Sequence, residues 1–96
     1  MTAKDVLVKA RALIVKKGGH CRTGMYGDDG KVCTVVALSR AAGLNGYAAA
    51  NRALSVLLKE IDRPCLVAWQ DANETPAVLD LFDRAIASLE PAGGAK

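Results

Sequence analysis

The chain has 96 residues, 51% of them hydrophobic and 24% charged, with a net charge of +3. This is the composition of one folded domain able to bury a modest core without staples, and it excludes a disordered segment. The charge alone is too small to argue for nucleic acid, and no apolar run approaches the roughly 18 residues of a membrane span.

Charge is unevenly spread. Residues 1–40 hold eight Lys/Arg against three Asp/Glu, and residues 41–96 hold five against seven. A chain with a basic first half is steered toward acidic partners. The first seventeen residues carry six charges in an amphipathic pattern, not the apolar stretch of a secretory signal, so a cytoplasmic location is expected. The three cysteines then read as reduced thiols.

The first helix is expected over residues 3–17. Thr2 is its N-cap, with Asp5 three residues on as a variant capping box. Gly18-Gly19 supplies the left-handed stop. Val6, Leu7, Ala10, Leu13 and Ile14 share the core face. Val8, Ala12 and Val15 form a second apolar stripe on the opposite side, edged by Lys4 and Arg11 on one flank and by Lys9 and Lys16 on the other. A helix that is apolar on two sides is sandwiched in its own fold or meets another chain, although single exposed valines are also common.

Residues 20–33, HCRTGMYGDDGKVC, come next. Cys21, Thr23 and Met25 alternate with Arg22, Gly24 and Tyr26, and Gly27-Asp28-Asp29-Gly30 is a turn signal, so a β-hairpin is expected here. A second helix should run from Thr34 to Ala42 and end at Gly43. A third, capped by Asn45, should cover residues 46–61 with Tyr47, Ala50, Leu54, Leu57, Leu58 and Ile61 facing inward. Asp62-Arg63-Pro64 breaks it. The apolar run 65–69 reads as a third short strand or an extended segment. Thr75 is the expected N-cap of the last helix and Pro76 its first helical position; the helix buries Val78, Phe82, Ala85, Ile86 and Leu89 and stops at Glu90-Pro91. The expected fold class is therefore α+β, four helices with a small hairpin and a third strand, in one domain over residues 1–91 with a mobile tail at 92–96.

Chemistry-bearing residues are sparse. His20, Cys21, Cys33 and Cys65 are the ligand types of a structural zinc site but lack paired ligands two to four residues apart. Cys33, where the hairpin enters a helix, is a candidate nucleophile with His20 as its base, and equally a small core residue. Asp28 and Asp29 are turn formers before they are an acid–base pair. No catalytic set, metal or cofactor is expected. The second and third helices, joined by Gly43-Leu44-Asn45-Gly46, resemble a helix-turn-helix that would present Asn51, Arg52, Ser55 and Lys59 to nucleic acid, although most basic residues sit on the first helix instead. Trp69, with Asp71 beside it, is a core residue or a surface anchor for a partner.

Four stretches, VLVKARALIVKKG, DDGKVCTVVALSRAAG, LVAWQDA and TPAVLDLFDRAIASL, resemble a family of small uncharacterised proteins of actinobacteria and their phages, a domain of unknown function. The family pattern has an Asp-Gly turn, a Cys opening an Ala/Leu-rich helix, and a Trp-Asn-Asp-like step. Cys33, Trp69 and Asp71 match it, and Gln70 stands where the Asn would be. The resemblance carries no activity. It implies a phage-borne or accessory protein that works by binding a host protein. The expected function is thus a non-enzymatic protein-binding module. Its partner is a host protein or a second copy, and its contact residues are Val8, Lys9, Arg11, Ala12, Val15, Lys16, Arg22, Tyr26, Trp69 and Asp71. A nucleic-acid-binding regulator and a Cys33-based enzyme or thiol sensor are the alternatives.

Overall fold

A computed structural model describes residues 2–16, 18–19, 33–62 and 65–89. Five helices follow in order: α1 Ala3–Lys16, α2 Thr34–Ala42, α3 Tyr47–Ile61, α4 Leu66–Asp71 and α5 Thr75–Ser88. All regular structure among the described residues is helical, which corrects the expected α+β class to all-α. The expected hairpin falls on residues outside the described ones. The expected third strand is α4. A short apolar run cannot be assigned by periodicity alone. Here Leu66 and Gln70, four residues apart, are buried together while Val67 and Ala68 stay exposed, which is helical and not alternating spacing.

The N-terminus of α1 closes as its sequence suggests. Thr2 N–H donates to Asp5 Oδ2 at 3.0 Å, and Asp5 N–H donates to Thr2 Oγ1 at 3.1 Å. The Thr2 backbone bond first, then its hydroxyl, hold the Asp5 carboxyl below the ordinary aspartate value. A depressed folded pKa stabilises the fold above the unfolded pKa, and this contribution is lost as pH falls through the folded value. We therefore expect the Asp5 carboxyl to titrate, by NMR, below an aspartate in a short unstructured peptide. A midpoint at or above the peptide value would show that the capping box does not form. At the other end Gly18 and Gly19, both at positive φ, turn their N–H groups back to Val15 and Ile14 carbonyls at 3.1 and 2.9 Å.

α1 packs most extensively on α2 and also on α3 and α5. α3 lies against α5, and the short α4 rests on α2 and α3. The core is one cluster in which Leu7, Ile14, Leu38, Leu57, Leu81 and Phe82 are fully buried, each worth roughly 1.5–3 kcal/mol relative to exposure. In α3 the fully buried positions are Ala49, Ala53 and Leu57, while Leu54, Leu58 and Ile61 are half-buried and Tyr47 is exposed. Small residues on that stripe let neighbouring helix axes come close, which rotates Tyr47 out of the inward face expected for it. The expected caps Asn45 and Thr75 are also corrected, because the N-cap positions are Gly46 and Glu74, and Leu89, expected on the buried face of the last helix, is exposed at its C-cap. A Cβ on Gly46 would lie 2.2 Å from the Ala42 carbonyl oxygen, so the four-residue turn that starts with left-handed Gly43 closes only around a bare Cα.

Candidate functional site

α1 presents two opposed faces. Val6, Leu7, Ala10 and Ile14 are wholly inside the core, while Val8 and Val15 on the far side keep 47% and 52% of their surface in water, and Ala12 between them is exposed. No described helix therefore covers the second stripe, and Val8, Ala12 and Val15 are exposed. Lys9 and Lys16 on one edge are exposed. On the other edge Arg11 is half-buried and tied to α5, with Nε 2.8 Å from Asp83 Oδ1 and Nη2 donating to Asp83 Oδ2 at 3.2 Å. Arg11 thus belongs to the α1–α5 seam more than to an open cationic rim.

The remaining contact residues expected from sequence do not join this stripe. Arg22 and Tyr26 lie outside the described residues. Trp69 and Asp71 are on α4, which packs against α2 and α3. Trp69 is half-buried against the core, and its carbonyl oxygen accepts from Asn73 Nδ2 at 2.7 Å. Asp71 is half-buried, with its Oδ1 accepting from Gln70 Nε2 at 3.4 Å. The tryptophan thus packs part of its ring system on the core and leaves part in water.

Cys33 proves to be structural in its contacts. It occupies the N-cap of α2, where its sulfur accepts the Val36 N–H at 3.3 Å, and it is 1% exposed. A sulfur so enclosed is out of a substrate's reach in this conformation. Beside it the Thr34 N–H, the first donor of the helix, is taken by Gln70 Oε1 at 2.7 Å. These two bonds satisfy two of the four N–H groups that the start of a helix leaves without an intrahelical partner. Gln70 is fully buried and joins α4 to α2 across 36 residues of sequence. The sequence reading weighed Gln70 only as a departure from an Asn and missed this role. A glutamine one step past a tryptophan in a short apolar run was the available signal. Cys65, the other cysteine among the described residues, is exposed, and His20 and Cys21 lie outside them.

Sequence reasoning also missed an apolar groove of about 570 Å³ between α2 and α3, lined by Val35, Val36, Ala42 and Tyr47 with Arg40 at its edge. Leu44, fully exposed in the turn, stands beside it. A leucine between two turn glycines has no layer to bury it, and that was legible. On the outer face of α3, Asn51, Arg52, Ser55 and Lys59 are all exposed, so the residues named for a helix-turn-helix contact do reach solvent. No helix among the described residues is long and apolar enough to cross a membrane.

No curated protein and no solved structure matches the chain. A family model described as a family of unknown function matches residues 1–88. With nearly the whole chain covered by that match, from the capping box of α1 to the last residue of α5, the chain belongs to the family of unknown function DUF6197.

Proposed function

We propose that the chain is a protein-binding module without chemistry of its own, and that it docks its partner through the outer stripe of α1. The observation that carries this is the exposure of Val8, Ala12 and Val15 on a helix whose opposite face is already fully buried. Apolar groups aligned along one helix face gain free energy when a partner covers them. The basic first half of the chain adds attraction for an acidic surface. In its full form the proposal places the protein in the cytoplasm, as a phage-borne factor acting on a host protein. Nucleic-acid binding by α3 has less support, since Arg52 and Lys59 are the only cations among the four outer-face residues named for it. The enclosure of Cys33 favours packing over thiol chemistry.

The double variant Val8→Asp/Val15→Asp tests the proposal. Both sites are exposed, so its thermal unfolding should stay within roughly 0.5 kcal/mol per site of the parent. Proteins captured by the parent from a lysate, and then purified and titrated calorimetrically, should no longer bind the variant. If the variant unfolds, the stripe is core. If the variant captures and binds the same proteins as the parent, the interface lies elsewhere.

A further inference from the structure

We infer that the occupant of the α1 stripe is an amphipathic helix of another protein whose edges are acidic, and not a second copy of this chain; this rests on the reading of α1 as an interface. The stripe advances by four and then three residues, from Val8 to Ala12 to Val15. That is the alternating spacing of a helix–helix seam, in which each apolar side chain inserts between those of a facing helix. Ala12, the central and smallest member, lets a second helix axis approach closely. Within the 14 residues of α1, the stripe from Val8 to Val15 spans roughly 10 Å at 1.5 Å per residue, so it matches about two turns of a partner.

The flanks decide which helix fits. The positions bordering such a seam are Lys4 and Arg11 on one side and Lys9 and Lys16 on the other, and all four are basic. Flanking charges set partner choice in paired helices. Asp5, the one acidic residue of α1, stands in line with the stripe three residues before Val8, so the apolar seam begins at Val8; its carboxylate is engaged in the capping box with Thr2. Arg11 already answers Asp83, so the Lys9–Lys16 edge carries most of the selectivity. A second copy is disfavoured in either orientation. A parallel pair would set Lys9 and Lys16 against the other copy's Lys4 and Arg11. An antiparallel pair would set each edge against its own counterpart. The antiparallel pair sets the exposed Lys9 and Lys16 against their own copies, and the parallel pair leaves them facing Lys4 and an Arg11 whose charge Asp83 already answers, so neither supplies them with a carboxylate from the facing helix edge. An acidic-edged helix instead meets the exposed Lys9 and Lys16 with opposite charge.

The test uses the whole chain and two fluorescent three-heptad peptides. Both carry leucine along the seam, one with glutamate and one with lysine at the flanking positions. Fluorescence anisotropy at low salt should show the glutamate peptide binding and the lysine peptide about tenfold or more weaker. Lys9→Glu/Lys16→Glu, at two exposed sites, should reverse the order, and Val8→Asp/Val15→Asp should bind neither. Equal binding of the two peptides, or no binding of the glutamate peptide, overturns the inference. So does a concentration-dependent dimer in sedimentation equilibrium that Val8→Asp/Val15→Asp dissolves. That last result would leave α1 an interface while refuting the acidic helix. Lysate capture unchanged by Val8→Asp/Val15→Asp would instead refute the interface itself.

Discussion

Replacing Gln70 with alanine is expected to cost about 3–4 kcal/mol of stability, from a lost buried volume and an abandoned donor together. Gln70 is among the largest side chains with no exposed surface, and its Oε1 is the acceptor for the Thr34 N–H at 2.7 Å. Truncation leaves that N–H, at a buried helix end, facing a void. An unsatisfied buried donor alone costs about 1–3 kcal/mol. Gln70→Leu separates the two contributions. It keeps most of the volume and removes the acceptor, so it should fall short of the alanine variant by about 1–2 kcal/mol. Urea unfolding of the three proteins checks this. A loss below about 1 kcal/mol for Gln70→Ala would mean that water replaces the amide and the site is not closed.

Gly46→Ala is the second large effect, and here two physical contributions oppose each other. Removing a glycine from the unfolded chain stabilises a compatible site by about 0.4–1 kcal/mol. A methyl group at Gly46, however, would sit 2.2 Å from the Ala42 carbonyl oxygen and 2.7 Å from its carbon. These are backbone atoms in the last turn of α2 and cannot rotate aside. Overpacking of that kind costs about 1–3 kcal/mol. The clash should win, giving a net loss of about 2 kcal/mol and displacing Leu44 and Tyr47, which border the α2–α3 groove. Thermal unfolding with NMR shifts at Tyr47 would show both. A neutral or stabilised variant would mean that the turn opens at little cost.

Four helices were legible because their caps and apolar periods agree. Thr2 with Asp5, Gly18-Gly19, Gly43 and Thr75-Pro76 mark ends that the structure places within a residue or two of those positions. The second stripe of α1 was legible as a pattern, but its exposure was not, because periodicity shows that a face is apolar without showing what covers it. α4 was misread since five apolar residues after a proline satisfy a strand and a helix equally well. The inward face of α3 was misread since large residues draw attention, whereas close helix packing selects alanines. Gln70 stood out only as a polar residue closing an apolar run, and its partner was beyond reach, because a backbone N–H 36 residues away leaves no mark in a sequence. The same holds for the α2–α3 groove, which exists only once Gly43 and Gly46 have folded the two helices together.

The amide that finishes α2 has a consequence for the order of events as the chain leaves the ribosome. Nine residues of α2 fall short of the roughly 12 or more that an isolated helix needs to persist in water. Cys33 supplies one local cap, but the bond to the first donor comes from Gln70, so α2 is only completed after α4 has been synthesised. Until then the nascent chain holds α1 with its core face uncovered, since α2 is its most extensive neighbour. The window in which this domain is vulnerable to aggregation and to proteases therefore stays open through the synthesis of α4 and closes only after α5 has delivered Leu81 and Phe82 to the same core.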